Sequence, residues 1–123
     1  MAEGQSRRQT TEQRRAAEAW KAVSEVERGE QGKYSTWVRK LPALIQSNGL
    51  GSAMAFLYVK NPSLYRHVSR WVTEHLNHQG GDLLDLIRRA SAEEYRRATA
   101  EAIVYAGWLK RYVEGLGWKT EEE

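Results

Sequence analysis

Apolar residues recur at helical spacing along almost the whole chain, and short polar breaks cut the pattern into six pieces. Ala16, Ala19, Trp20, Val23 and Val26 form the stripe of a first helix predicted over residues 10–28, with Thr10 or Thr11 as its cap. Gly29 and Gly32 bracket a loop. A second helix is predicted over 33–47, with Trp37, Leu41, Leu44 and Ile45 on one face and Arg39 and Gln46 on the other. Pro42 lies inside it, and a proline there removes a backbone hydrogen bond, so one kinked helix is predicted. Asn48-Gly49 stops that helix at a sharp corner. The third helix, 50–59, starts at once and is apolar nearly all round, which predicts a central position.

Asn61-Pro62 separates the third helix from a fourth over 62–78, because proline suits a first helical turn. Leu64, Val68, Trp71, Val72 and His75 converge on one side of it, and Arg66, Arg70, Thr73 and Asn77 on the other. Gln79-Gly80-Gly81 breaks the pattern, and Asp82 caps a short fifth helix ending near Arg89 or Ala90. Ser91-Ala-Glu-Glu is a capping box. It opens the longest helix, predicted to residue 116, whose core stripe is Tyr95, Ala98, Ala102, Ala106, Leu109 and Val113. The fold class is therefore all-α: a single compact bundle of about six helices, one with a proline kink, over residues 10–117. Residues 1–9 read as a flexible polar tail and 118–123 as a loose acidic one, ending Glu121-Glu122-Glu123.

Composition changes this picture little. With 123 residues and 41% hydrophobic content, the chain suits one folded domain rather than a disordered one. It has no cysteine, which excludes disulfides and thiolate metal sites. No apolar run is long enough to span a bilayer and no signal-peptide core opens the chain, so a soluble cytoplasmic protein without membrane contact is expected. Net charge is only +3, but thirteen arginines stand against six lysines, and Arg can grip phosphate in a bidentate manner that Lys cannot.

Catalytic chemistry is not legible. His75 and His78 have H-x-x-H spacing with Asp82 just beyond, yet a zinc site wants three or four ligands, and HExxH is absent. His75 falls on the core face and His78 at its edge. Asp82, Asp85, Glu93 and Glu94 sit where helix N-termini favour negative charge. Glu101 lies at the edge of the core stripe, where a carboxylate needs an Arg, Lys or hydroxyl partner. Gly49-Leu50-Gly51 follows a helix, so it lacks the strand that precedes a phosphate-binding loop. No catalytic residue, metal or cofactor is expected.

Binding surfaces are more legible. Trp20, Trp37 and Trp71 lie on apolar stripes and read as core. Trp108 projects with Val104 and Arg97 away from its helix's core stripe, and with Arg111 nearby it reads as a contact surface for a protein neighbour or for nucleic acid, a protein–protein contact being favoured. The basic residues form outward rows. Arg66 and Arg70 are one helical turn apart; Arg88 and Arg89 close the fifth helix; Arg96 and Arg97 open the sixth; Arg39 and Lys40 make a further pair. Each alone serves as a solvated helix-surface charge. As a set they suit sequence-independent phosphate contacts, which need positive side chains in rows and no base-specific geometry.

Two longer blocks carry a resemblance. LPALIQSNGL followed by AMAFL, at residues 41–50 and 53–57, and EYRRATAEAIVYAGWLKRYVEGL, at 94–116, resemble the small helical subunit of type III-B CRISPR RNA-guided effector complexes, the Cmr small-subunit family. The similarity covers about residues 33–116, and the matching positions are mostly core. It implies a non-catalytic, RNA-binding ribonucleoprotein subunit in antiviral defence. In such complexes several copies stack beside the guide RNA and target RNA and bridge a large polymerase-like subunit and repeated backbone subunits, the latter cutting the target. Which arginines touch RNA is not implied by it.

The rivals are the small subunit of a type III-A or type I CRISPR effector, a free-standing helical nucleic-acid-binding regulator, and a metal-dependent hydrolase using His75, His78 and Asp82. The two blocks count against the first. A regulator wants an exposed polar recognition helix after a tight turn, but the helix after Asn48-Gly49 is apolar.

Overall fold

The computed structural model describes residues 9–121; residues 1–8 of the predicted 1–9 tail and the final two glutamates lie outside the described residues. Six α-helices and one 3₁₀ turn make an all-α bundle: α1 (Thr11–Ser24), the turn Arg28–Glu30, α2 (Gln31–Asn48), α3 (Leu50–Lys60), α4 (Pro62–His75), α5 (Leu83–Arg89) and α6 (Ala92–Gly115). The long α6 runs through the bundle, with α1, α2, α3 and α4 packed against it.

The sequence punctuation acts where it was read. Thr10 accepts from the Gln13 amide while the Gln13 side chain accepts from the Thr10 amide, and Ser91 and Glu94 repeat this capping box at α6. Asn61 accepts from the Leu64 amide with Pro62 in the first turn of α4. α2 is one helix with Pro42 inside it. Gly49 has φ +88° and ψ 156°, a backbone region open essentially to glycine, so α2 and α3 turn without a linker. Tyr95 of α6 bolts this corner, its hydroxyl accepting from the Gly51 amide at 3.1 Å. α4 ends earlier than the pattern suggested because Asn77 takes φ +56° and the His78 amide donates back to the Thr73 carbonyl at 2.8 Å. α1 likewise stops at Ser24 rather than near Arg28.

Tyr34, Leu41, Ile45, Leu50, Met54, Leu57, Leu64, Leu83, Tyr105 and Leu109 are fully buried. Trp37 and Trp71 are buried as read, but Trp20 is not: it is 48% exposed, resting edge-on against Tyr112. The buried face of α1 is Ala19, Ala22 and Val23, because small alanines let α1 approach α6 closely and swing the indole outward. Nor is α3 surrounded. Leu50, Ala53, Met54 and Leu57 face the core, while Phe56, Tyr58 and Val59 are 43%, 53% and 75% exposed. An apolar helix thus presents one uncovered face.

The segment from Trp118 is docked over its described part, not loose. Trp118 packs edge-on against Tyr34, and its carbonyl accepts from Arg39 Nη2 at 3.0 Å. Thr36 exchanges hydrogen bonds with the Glu121 backbone, accepting from its amide at 2.7 Å and donating to its carbonyl at 2.8 Å.

Candidate nucleic-acid interface

The outer face of α4 is set by its amphipathic pattern: His67, Val68 and Ser69 turn inward, which leaves Arg66 and Arg70 exposed one turn apart. Both are held lightly. Arg66 Nη2 lies 3.3 Å from Ser63 Oγ, and Arg70 Nη2 lies 3.4 Å from Glu25 Oε1. They border a cleft of about 660 Å³ whose wall includes Tyr58, Tyr65 and Asp82.

The residues of the second predicted row lie on either side of the α5–α6 corner. α5 is stitched to α4 by three bonds: Tyr65 Oη donates to Asp82 Oδ2 at 2.7 Å and accepts from the Leu84 amide at 3.0 Å, and the Leu83 amide donates to Ser69 Oγ at 2.9 Å. Arg88 and Arg89 project from this short helix, 69% and 65% exposed, each within 3.2 Å of Asp85. His78 also bonds Asp85, at 2.8 Å; this bond and the two arginines hold the Asp85 carboxyl below the usual range. Arg96 pairs with Glu93 on its own helix. Such solvent-screened pairs one turn apart hold a guanidinium only weakly, which leaves it free to turn to a phosphate instead. Arg89 and Arg97 meet at one cleft of about 300 Å³, with His78 and Glu94.

Arg39 departs from the outward cation expected. It is half-buried, with Nε donating to Ser35 Oγ at 2.9 Å, Nη2 to the Trp118 carbonyl, and Nη1 3.5 Å from Glu114. The returning C-terminal segment claims its donors. Lys40 stays exposed, its ammonium 5.0 Å from the Trp37 ring centroid.

Val104, Trp108 and Arg111 do come together, along a groove of about 680 Å³ that Pro42 and Ile103 also line. Arg111 covers the Trp108 ring at 5.0 Å. The indole is half-buried against Tyr112, so it projects less than its wheel position suggested, and Arg97 lies at the other cleft instead of beside it.

The H-x-x-H set is dispersed among different partners. His75 stacks on Trp71 with Nε2 3.4 Å from Glu101, His78 bonds Asp85, and Asp82 bonds Tyr65. Among the described residues no group of three or more His, Asp or Glu side chains is placed to hold a metal ion, and no helix is long and apolar enough to cross a membrane. Glu101 has the partner it needed: Arg15 donates through Nη2 at 2.8 Å and through Nε, and Trp71 Nε1 donates at 2.7 Å. Burial pushes this carboxyl up, but the bonds from Arg15 and Trp71, with His75 and the Arg15 charge, outweigh it and leave the group lowered.

Two features escaped the sequence reading. His67 is buried, with Nδ1 2.7 Å from the Tyr34 hydroxyl and Nε2 3.2 Å from Glu25. Burial and the Arg70 charge lower its pKa to about 4, so it is neutral at physiological pH. Its one sequence signal was its place beside Val68, at the edge of the apolar stripe. The other is the uncovered face of α3, where two aromatics and a valine in four residues were read as burial.

The comparisons with known proteins agree with this architecture. The family model described as CRISPR-associated protein (Cas_Cmr5) matches residues 11–116. The CRISPR system Cmr subunit Cmr5 of Thermus thermophilus is 29% identical over 103 residues, covering 82% of this chain and 90% of that protein. The crystal structure of a CRISPR-associated Cmr5 family protein, also from Thermus thermophilus, superposes with a TM-score of 0.73 at 28% identity, covering 88% of this chain and 98% of that one. The match spans all six helices, so this chain belongs to the Cmr5 family of CRISPR-associated proteins, the Cmr small-subunit family that its two sequence blocks resemble.

Proposed function

We propose that this Cmr5-family chain is a non-catalytic structural subunit of a type III-B CRISPR effector. In this reading copies of it stack along the guide RNA–target RNA duplex and bridge the large subunit and the backbone subunits. The observation that carries the reading is the exposed, lightly held pair Arg66 and Arg70 on one face of α4, with Arg88, Arg89, Arg96 and Arg97 around the neighbouring corner. Phosphates are met by such rows without base-specific geometry, so one surface serves any guide sequence. The groove at Val104, Trp108 and Arg111 is the protein-contact face: Pro42, Ile103, Val104 and Trp108 give it apolar surface, and charges of both signs, Arg111 and Lys110 with Glu12 and Glu114, line it too. One copy offers few contacts, and stacking multiplies them.

The test is Arg66→Glu with Arg70→Glu in the reassembled complex, after checking that the melting temperature is retained. Target RNA binding weakens, and the salt dependence flattens by about one counterion per lost contact. Full affinity with an unchanged salt slope removes this row from the RNA path and leaves a purely protein-bridging role.

A further inference from the structure

We propose that the cleft between α3 and α4 is a pocket for an unpaired nucleotide, with the base on Tyr58 and its phosphates on Arg66 and Arg70. The inference rests on the reading of that arginine pair as phosphate contacts, and adds to it a preference for single-stranded over paired nucleic acid. Three observations converge. Tyr58 is 53% exposed although its ring is aromatic and its neighbour Leu57 is fully buried. It is positioned rather than loose, because it meets Tyr65 edge to face with centroids 5.1 Å apart at 71°. Tyr65 is in turn fixed by Asp82 and the Leu84 amide. The cleft below the ring, about 660 Å³, carries the two guanidiniums on its rim.

The chemistry of that wall selects its occupant. A fixed aromatic ring beside two cations that track a backbone is the combination that binds single strands, where every base offers a π-face whatever its sequence. A base locked in a duplex stack cannot present that face. The charged lining is two guanidiniums against one carboxylate, Asp82, so the cleft stays net cationic. Asp82 already accepts from Tyr65 and, at 3.1 Å, from the Asp85 amide, and Glu25 is shared between His67 and Arg70. Arg70 has further N–H groups to offer a phosphate while keeping its single contact to Glu25.

The experiment uses the full chain, a single-stranded oligouridylate carrying one 2-aminopurine, and a fully paired RNA duplex of equal length. The parent binds the single strand with quenching of 2-aminopurine fluorescence, and Tyr58→Phe keeps both. Tyr58→Ala weakens single-strand binding about tenfold, within the usual range for loss of one base–aromatic stack, and abolishes the quenching; duplex binding is unchanged. Tyr58→Leu keeps apolar bulk against Tyr65 without a π-face and behaves like the alanine variant, which separates stacking from folding. The proposal is overturned if the parent gives no quenching at millimolar protein. It is equally overturned if Tyr58→Ala binds the single strand within twofold of the parent, or if single strand and duplex weaken together. If Arg66→Glu/Arg70→Glu weakens target binding in the assembled complex while the Tyr58 variants change nothing, the nucleotide pocket fails and the phosphate row stands.

Discussion

Replacing Glu101 with Gln should destabilise this bundle strongly for so small a change of side chain. The carboxylate is 94% buried, since only 6% of its surface remains exposed, and it accepts from Arg15 Nε, Arg15 Nη2 and Trp71 Nε1. A glutamine has one acceptor oxygen and one donor amide. With the amide in place of Oε1, it faces Arg15 Nη2 and His75; in place of Oε2, it faces Arg15 Nε and Trp71 Nε1. Either way at least one N–H loses its acceptor and the Arg15 charge loses its counter-charge. An unsatisfied buried donor costs about 1–3 kcal/mol and a broken buried pair about 3–5. Arg15 keeps some solvent contact at 20% exposure, which places the loss near 2–4 kcal/mol. For a domain of this size that is a drop of roughly 10–15 °C in melting temperature. Urea unfolding at neutral pH measures it directly, and a double-mutant cycle with Arg15→Met should give a coupling of at least about 1 kcal/mol. Because the folded carboxyl titrates below its ordinary value, its contribution is present above that value and is lost as pH falls through the folded one. The Glu101→Gln variant must therefore lack that part of the acid loss. A variant within about 0.5 kcal/mol of the parent at neutral pH would refute the network as the tie between α1, α4 and α6.

Further expectations follow from other residues. His67, lowered to about 4 from an ordinary 6.5, binds its proton more readily in the unfolded chain, so stability should fall by about 2–3 kcal/mol as pH drops from 6.5 to 4, and a His67→Phe variant should show a flatter profile in that window. Met54→Ala or Leu57→Ala should cost about 2–5 kcal/mol, whereas Phe56→Ala, whose 43% exposed side chain leans edge-on against Trp37, should cost clearly less; equal losses in denaturant melts would contradict the uncovered face of α3. Gly49→Ala forces a side chain into φ +88° and should cost about 1–3 kcal/mol, with a melting curve within error of the parent counting against the strained corner.

The helix order was legible because its punctuation is chemical. Ser91 with Glu94, Asn61 with Pro62, Asp82, and the glycine at 49 each satisfy or release backbone groups in a way that few other residues can. Which way each helix turns was harder to read. Trp20 and Ala19 are adjacent in sequence and about 100° apart around the helix, both within the apolar stripe as read, and the packing of α1 on α6 puts the alanine in and the indole out. Phe56, Tyr58 and Val59 misled for the opposite reason, since hydropathy cannot tell a face buried in its own chain from one left for something else. The arginine rows were placed from the amphipathic pattern of α4 and from helix ends, and the structure leaves Arg66, Arg70, Arg88, Arg89, Arg96 and Arg97 exposed. Arg39 escaped this reasoning because its partner carbonyl, on Trp118, is distant in sequence and belongs to a segment without periodicity.

The three bonds that stitch α5 to α4 have a mechanical consequence. Ser69 and Tyr65 hold the start of α5 from the flank of α4, so the helix bearing Arg88 and Arg89 moves with the helix bearing Arg66 and Arg70. A seven-residue helix on a glycine-containing connection would otherwise swing, and each swing would change the spacing between the two sets of cations. Stitched, the spacing becomes a fixed gauge set by the fold. A ligand that fits the gauge binds without first ordering the corner, and one with a different charge repeat engages one set at the expense of the other.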